Sequence, residues 1–218
     1  FMLSKPISKV VSKMAVPTVI SMLVMSIYSL ADMFFVSKLG TEASAAVGIV
    51  FSILTMIQAV GFMLGIGAGS LISRSLGAGN SGEKDSIASV AFFASIIGGF
   101  FVLIFGILFK TEVMQFLGAT STILPYAKDF SHYILIASPI MCASFVLNIL
   151  LRTQGKPQLA MIGLAVGGVL NIILDPIFIF GLKMGIGGAA VATLISQSVS
   201  FLILLFIYLR GQNFARIK

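Results

Sequence analysis

Charge is what this sequence has least of. Asp, Glu, Lys and Arg together make up 10% of its 218 residues, against about 25% in an ordinary soluble domain. So few charged side chains make a soluble globular fold a poor reading. Cysteine is limited to Cys142, which excludes an internal disulfide and leaves the redox compartment open. Histidine is limited to His132, and no cluster with metal-ligand spacing surrounds it. A Ser/His/Asp arrangement and a catalytic pair of carboxylates within one element are also lacking. The chain is therefore expected to be a non-enzyme with no cofactor. A secretory leader is not expected either, because the first apolar stretch is too long and lacks a small-residue cleavage site.

What is abundant is hydrophobic sequence, at 58% of residues. A membrane-spanning helix needs roughly 20 mainly apolar residues to cross about 30 Å of hydrocarbon. Six segments qualify, at approximately 14–37, 44–72, 87–109, 130–151, 159–182 and 188–209. The second has no charged residue between Glu42 and Arg74, and the third none between Asp85 and Lys110. The predicted fold is thus an all-α integral membrane protein of six transmembrane helices.

Six spans put both ends of the chain on one side, and the basic residues sort accordingly. Lys5, Lys9, Lys13, Arg74, Lys84, Arg152, Lys156, Arg210, Arg216 and Lys218 fall on the side of the termini, ten of the fourteen Lys and Arg. Lys38, Lys110, Lys128 and Lys183 fall on the other. The positive-inside bias then places both termini in the cytoplasm of a multi-pass protein of the cell (inner) membrane. The net charge of +7 is an orientation signal, and nucleic acid is not an expected partner. Among the connections, SRSLGAGNSGEKDS at 73–86 reads as a Gly- and Ser-rich inside turn, and RTQGKPQ at 152–158 as a tight basic one. VMQFL within 110–129 reads as a short interfacial helix outside, and Pro157 suits the first turn of the fifth span.

Two acidic residues lie inside spans, Asp32 and Asp175. A carboxylate at mid-bilayer costs about 2.5–3.5 kcal/mol on insertion scales, so such residues face a partner or a cavity and mark candidate sites. Asp32 lies about 18 residues, roughly 27 Å, along the first span, and Asp175 about 16 residues, roughly 24 Å, along the fifth. Both helices run outward, so the carboxylates are expected at similar depth in the outer half. Tyr28 precedes Asp32 by one helical turn, and Asn171 likewise precedes Asp175. Thr193, early in the sixth span, reaches the same depth. Oxygens from Asp32, Asn171, Asp175 and Thr193 suit a small hard cation such as Na⁺. The same group suits a proton, since burial and a nearby like charge both favour the neutral acid.

Pro176 follows Asp175 directly and withholds an N–H from the turn before it. Broken helices beside binding sites are a recurrent device of transporters. Pro17 and Pro139 are further candidate kinks, for which an inert bend is the better reading. The run GFMLGIGAGSLISRSLGAG lacks the strand and the Lys–Ser/Thr pair of a nucleotide loop, so its glycines are expected to let helices approach closely. GLAVGG at 163–168 and GIGG at 185–188 read the same way. His132 is read as an interfacial spectator and Cys142 as packing. Asn148, four residues before Arg152, is expected near the cytoplasmic side.

PTVISMLVMSIYSLADMFFVSKLG at 17–40, GAGSLISRSLGAGN at 67–80 and LRTQGKPQLAMIGLAVGGVLNIILDPIFIFGLKMGIGGAAVATLISQ at 151–197 together resemble the N-terminal half of a multidrug and toxic compound extrusion (MATE) transporter. The resemblance implies one six-helix lobe, residues 1–218, of a twelve-helix protein that exchanges amphipathic organic cations for Na⁺ or H⁺. It implies coupling residues at Tyr28, Asp32, Asn171, Asp175 and Thr193. It carries a fourth-helix Asn of the same network onto Asn148, against the depth argued above. The second lobe belongs after Lys218, so that lobe or a second copy of the chain joins membrane lipid and drug as an expected partner. Two other readings stay open: a lipid-linked glycan flippase on a similar scaffold, and a channel or membrane scaffold without alternating access.

Overall fold

In lipid a backbone N–H or C=O finds no water, so an apolar run must satisfy its hydrogen bonds internally as a helix. The computed structural model of the chain describes residues 7–78, 83–210 and 217, and within them the long apolar runs are helical throughout. The elements are α1 (Ile7–Ser37), α2 (Thr41–Gly77), α3 (Lys84–Leu108), α4 (Lys110–Phe116), α5 (Leu124–Thr153), α6 (Pro157–Pro176), a π-helical turn (Ile177–Gly181) and α7 (Gly185–Arg210). Among the described residues, six helices are long and apolar enough to cross a membrane. Lys5, Arg216, Lys218, residues 79–82 and the side chains of Lys9 and Lys13 lie outside the description.

The helices outrun their apolar cores. α5 begins at Leu124 rather than near 130, because Pro125 seeds its first turn and Lys128 and Asp129 continue the helix. α2 has 37 residues, or roughly 55 Å, so part of it must stand clear of about 30 Å of hydrocarbon. The short helix in the 110–129 connection is α4, which buries Met114 and leaves Phe116 at 90% exposure. Between α5 and α6 the chain turns on Gly155 at φ +76. There the Gly155 N–H bonds the Arg152 carbonyl and the Lys156 N–H bonds the Leu151 carbonyl, before Pro157 opens α6.

α5 is the axis of the bundle, buried along most of its length, with α2, α3 and α7 packed around it. α6 closes the ring against α7, and α1 lies mainly along α6. Small residues set the distances, as the packing of membrane helices requires. On α2, a Cβ built on Gly61, Gly65 or Gly69 would meet α5 atoms at 2.8, 2.6 and 2.7 Å, at Phe145, Ile149 and Thr153 respectively. The Ser138 hydroxyl of α5 donates to the Gly99 carbonyl of α3 at 2.9 Å, at the level where Gly99 meets Pro139. Pro139 therefore sits inside a continuous α5 as part of a seam. Pro17 is likewise embedded in a continuous α1, where the Ser21 hydroxyl donates to the Pro17 carbonyl at 2.8 Å.

Candidate functional site

The α1–α6 contact places the two intramembrane carboxylates together. Gly168 permits it, because a Cβ there would lie 3.0 Å from Val24 and 3.3 Å from the Tyr28 ring. Asp32 and Asp175 are near enough for their charges to act on each other, and Tyr28 is within the same range of Asp32. Asp175 is fully buried and Asn171 and Thr193 nearly so. The Asn171 amide donates to Asp175 Oδ1 and to Thr193 Oγ1, both at 3.3 Å. One amide group thereby joins α6 to α7 and orients the carboxylate behind it.

Three buried oxygens of this cluster have no hydrogen-bond partner among the described residues: Asp32 Oδ1, Asn171 Oδ1 and Asp175 Oδ2. Buried oxygens are rarely left so, since each forfeits roughly 1–3 kcal/mol of hydration. An all-oxygen set with two carboxylates and no sulfur or imidazole is the donor chemistry of a small hard cation. Protonation of a carboxyl would relieve the same deficit. Among the described residues no group of three or more His, Cys, Asp or Glu assembles, so a transition-metal centre is not the better fit.

A cleft of about 710 Å³ opens in front of the cluster, between α1, α2, α5 and α7. Its polar wall includes Tyr28, Asp32, Gln58, Thr193 and Gln197, and its apolar wall includes Met25, Met33, Phe51 and Met141. Asp32 is the single charged residue among those lining it. A second cavity of about 20 Å³ lies beside it and shares Met25, Tyr28, Thr193 and Gln197. Asn171 lines only the smaller cavity, and Asp175 lines neither.

The structure thus brings Tyr28, Asp32, Asn171, Asp175 and Thr193 to one place and leaves Asn148 out of it. The Asn148 amide donates to the Ala160 carbonyl at 3.0 Å, fastening α5 to the first turns of α6, far down the helix from Asp175. Pro176 ends the regular part of α6, and the backbone widens at once into the π turn. His132 stands exposed beside Tyr133, and the Cys142 thiol is buried against the Ile57 carbonyl at 3.5 Å. Gln58 and Gln197 line the large cleft and Ser144 lines only the small cavity, and sequence reasoning passed over all three. Gln197 carried a usable signal, one turn after Thr193 on the same face. A serine in an apolar helix carries none.

The MatE family profile matches residues 17–177. The chain belongs to the MATE family. A relative named FAD transporter from Shewanella oneidensis is 32% identical over 203 residues, covering 91% of this chain and 45% of its own length. The multidrug export protein MepA of Staphylococcus saprophyticus is 30% identical over 200 residues, with coverages of 91% and 44%. Among solved structures, an outward-facing multidrug resistance MATE family transporter superposes with a TM-score of 0.91 at 33% identity, over 96% of this chain and 47% of that one. A MOP superfamily transporter from Pyrococcus furiosus, described as having a binding pocket of reverse polarity, superposes equally well at 0.91 and 33% identity. The MATE chain spans just under half the length of the curated relatives it matches. Its six long apolar helices correspond to one lobe of a twelve-helix MATE-type transporter.

Proposed function

We propose that this MATE lobe serves a cation-coupled antiporter that exports amphipathic organic cations by alternating access. The observation that carries the reading is the cleft. Its volume of about 710 Å³ lies within the roughly 300–1,000 Å³ of small-molecule sites. Its wall is mostly apolar, and its one charge is the carboxylate of Asp32. Methionines add a surface that re-packs around varied ligands. The same carboxylate sits beside the buried Asn171–Asp175–Thr193 cluster, so drug and coupling ion answer to one charge.

Coupling follows from that sharing. A cation held by Asp32 and Asp175 cancels the field that attracts an organic cation into the cleft. A drug bound there disfavours the coupling ion by the same free energy. Each ligand must prefer a different conformation, since one with equal affinity for both shifts nothing. Na⁺ would be held by oxygens of Asp32, Asn171, Asp175 and Thr193, and H⁺ by the carboxyl groups alone. The π turn after Pro176 is the point at which a change at Asp175 reaches the outer connection. Both termini are cytoplasmic on this reading, and the second lobe or a second copy of the chain completes the cavity.

The flippase alternative calls for basic residues to bind phosphate, and the lining of the cleft offers none. The same argument disfavours an anionic cargo such as FAD. The deciding experiment is uptake of an organic cation into proteoliposomes holding the complete two-lobe protein, with Na⁺ and H⁺ gradients imposed separately. Saturable cation movement driven by either gradient, and unaffected by excess FAD, is expected. Gradient-driven FAD or lipid-linked sugar movement without cation movement would replace this reading.

A further inference from the structure

The small cavity has a feature that the cation site does not explain. It lies toward the Arg210 end of α7 from Thr193, bounded by Gly167 and Leu164 of α6, Ser200 of α7 and Ser144 of α5. Serines in helices usually turn their hydroxyl back to a carbonyl three or four residues earlier. Ser21, Ser26, Ser89, Ser131 and Ser198 of this chain all do so. Ser144 does not. Its residue is 3% exposed, yet its hydroxyl has no partner among the described residues. Asn171, also 3% exposed, lines the same cavity. Its Nδ2 is committed to Asp175 and Thr193, while its Oδ1 is buried without a donor.

We propose that this cavity is a binding site for one ordered water, which joins Ser144 to the carbonyl oxygen of Asn171. Its volume of about 20 Å³ exceeds the roughly 10–15 Å³ that a single water needs, and buried waters take two to four polar partners. Ser144 Oγ and Asn171 Oδ1 supply two, and the Gln197 side chain stands at the same cavity. Other occupants fit less well, because the space is too small for an organic group and no charge lines it.

The consequence is a role for Ser144 as a positioning residue. An amide has two faces, and the partner on one decides what the other presents. Water donating to one lone pair of Oδ1 holds Nδ2 toward Asp175 Oδ1 and Thr193, which leaves the second lone pair of Oδ1 and Asp175 Oδ2 for the coupling ion. Without the water, Oδ1 gains by turning toward Thr193, whose hydroxyl can donate, and the ordered carboxylate is lost. The inference rests on the proposed coupling role of Asp175, and its test separates the two.

In the complete transporter, a structure at a resolution that reveals waters should show one within hydrogen-bond distance of Ser144 Oγ and Asn171 Oδ1. Ser144→Ala should weaken binding of the coupling ion by about three- to tenfold, while drug affinity measured without that ion stays at the wild-type value. Ser144→Val, which fills the space, should remove the water and match or exceed the loss. Equal ion affinity in wild type and Ser144→Ala, alongside an Asp175→Asn variant that has lost coupling, overturns the water inference and leaves the transport reading standing. Wild-type coupling in Asp175→Asn overturns the transport reading instead. Should either serine variant fail to fold, an empty cavity in the wild-type structure is sufficient to reject the proposal.

Discussion

Asp175 is a fully buried carboxylate with one oxygen bonded to Asn171 and the other to nothing described. A group arranged purely for stability would have both oxygens satisfied, because an orphaned buried acceptor is costly. Asp175→Asn keeps the shape and removes the charge. Its effect on the thermal stability of the purified transporter should stay within about 1 kcal/mol, the net worth of one ordinary hydrogen bond. Gradient-driven drug transport should fall at least about tenfold, the factor produced by ~1.4 kcal/mol. Asn171→Ala should weaken ion binding with a milder effect. Transport assays beside thermal melts of each variant check both, and wild-type coupling in Asp175→Asn would reduce the residue to structural glue. These residues were legible because charge inside a span is conspicuous. Ser144 and Gln58 were not, because only the fold reveals which polar side chain of an apolar helix faces a cavity.

Among elements, α2 and α5 show how far a glycine pattern can be read. The run from 61 to 69 was identifiable as a close-contact face, but not the helix it meets or which of its glycines matter. The geometry separates them: Gly65 is pressed against Ile149, whereas nothing lies within 4 Å of a Cβ on Gly67. Gly65→Val should destabilise the lobe by about 1–3 kcal/mol, as overpacking does. Gly67→Ala should be neutral or stabilising by about 0.5–1 kcal/mol, since a helical glycine carries an entropic cost. Thermal unfolding in detergent would distinguish them, and equal melting temperatures would dissolve the seam. Helix ends were less legible than helix centres, because hydropathy reports hydrocarbon depth. α5 continues through Lys128 and Asp129 into the interface, where charge is no obstacle to helix.

At the scale of the molecule, the ten-to-four division of basic residues supports the proposed cytoplasmic placement of both termini. Single cysteines introduced in the 152–158 turn of the complete protein should react only with reagents on the cytoplasmic face, and those at 38–40 or 183–184 only from outside. Labelling of the 152–158 turn from the outer face of sealed, right-side-out vesicles would invert the assignment. The span count was legible from six apolar runs. Their arrangement around α5 was not, since hydropathy gives the number of spans and is silent about neighbours.

Asp32 and Thr193 line the cleft, Asn171 lines only the small cavity, and Asp175 lines neither. If Asp32 and Asp175 carry the proposed coupling role, that arrangement implies an order of events. An ion arriving through the cleft would meet Asp32 first and Asp175, which lines neither cavity, last. On departure it leaves the hidden carboxylate first and the open one last. On that reading a drug entering the same cleft contests only the open carboxylate, so it can bar the ion's return without ever touching the more deeply buried one.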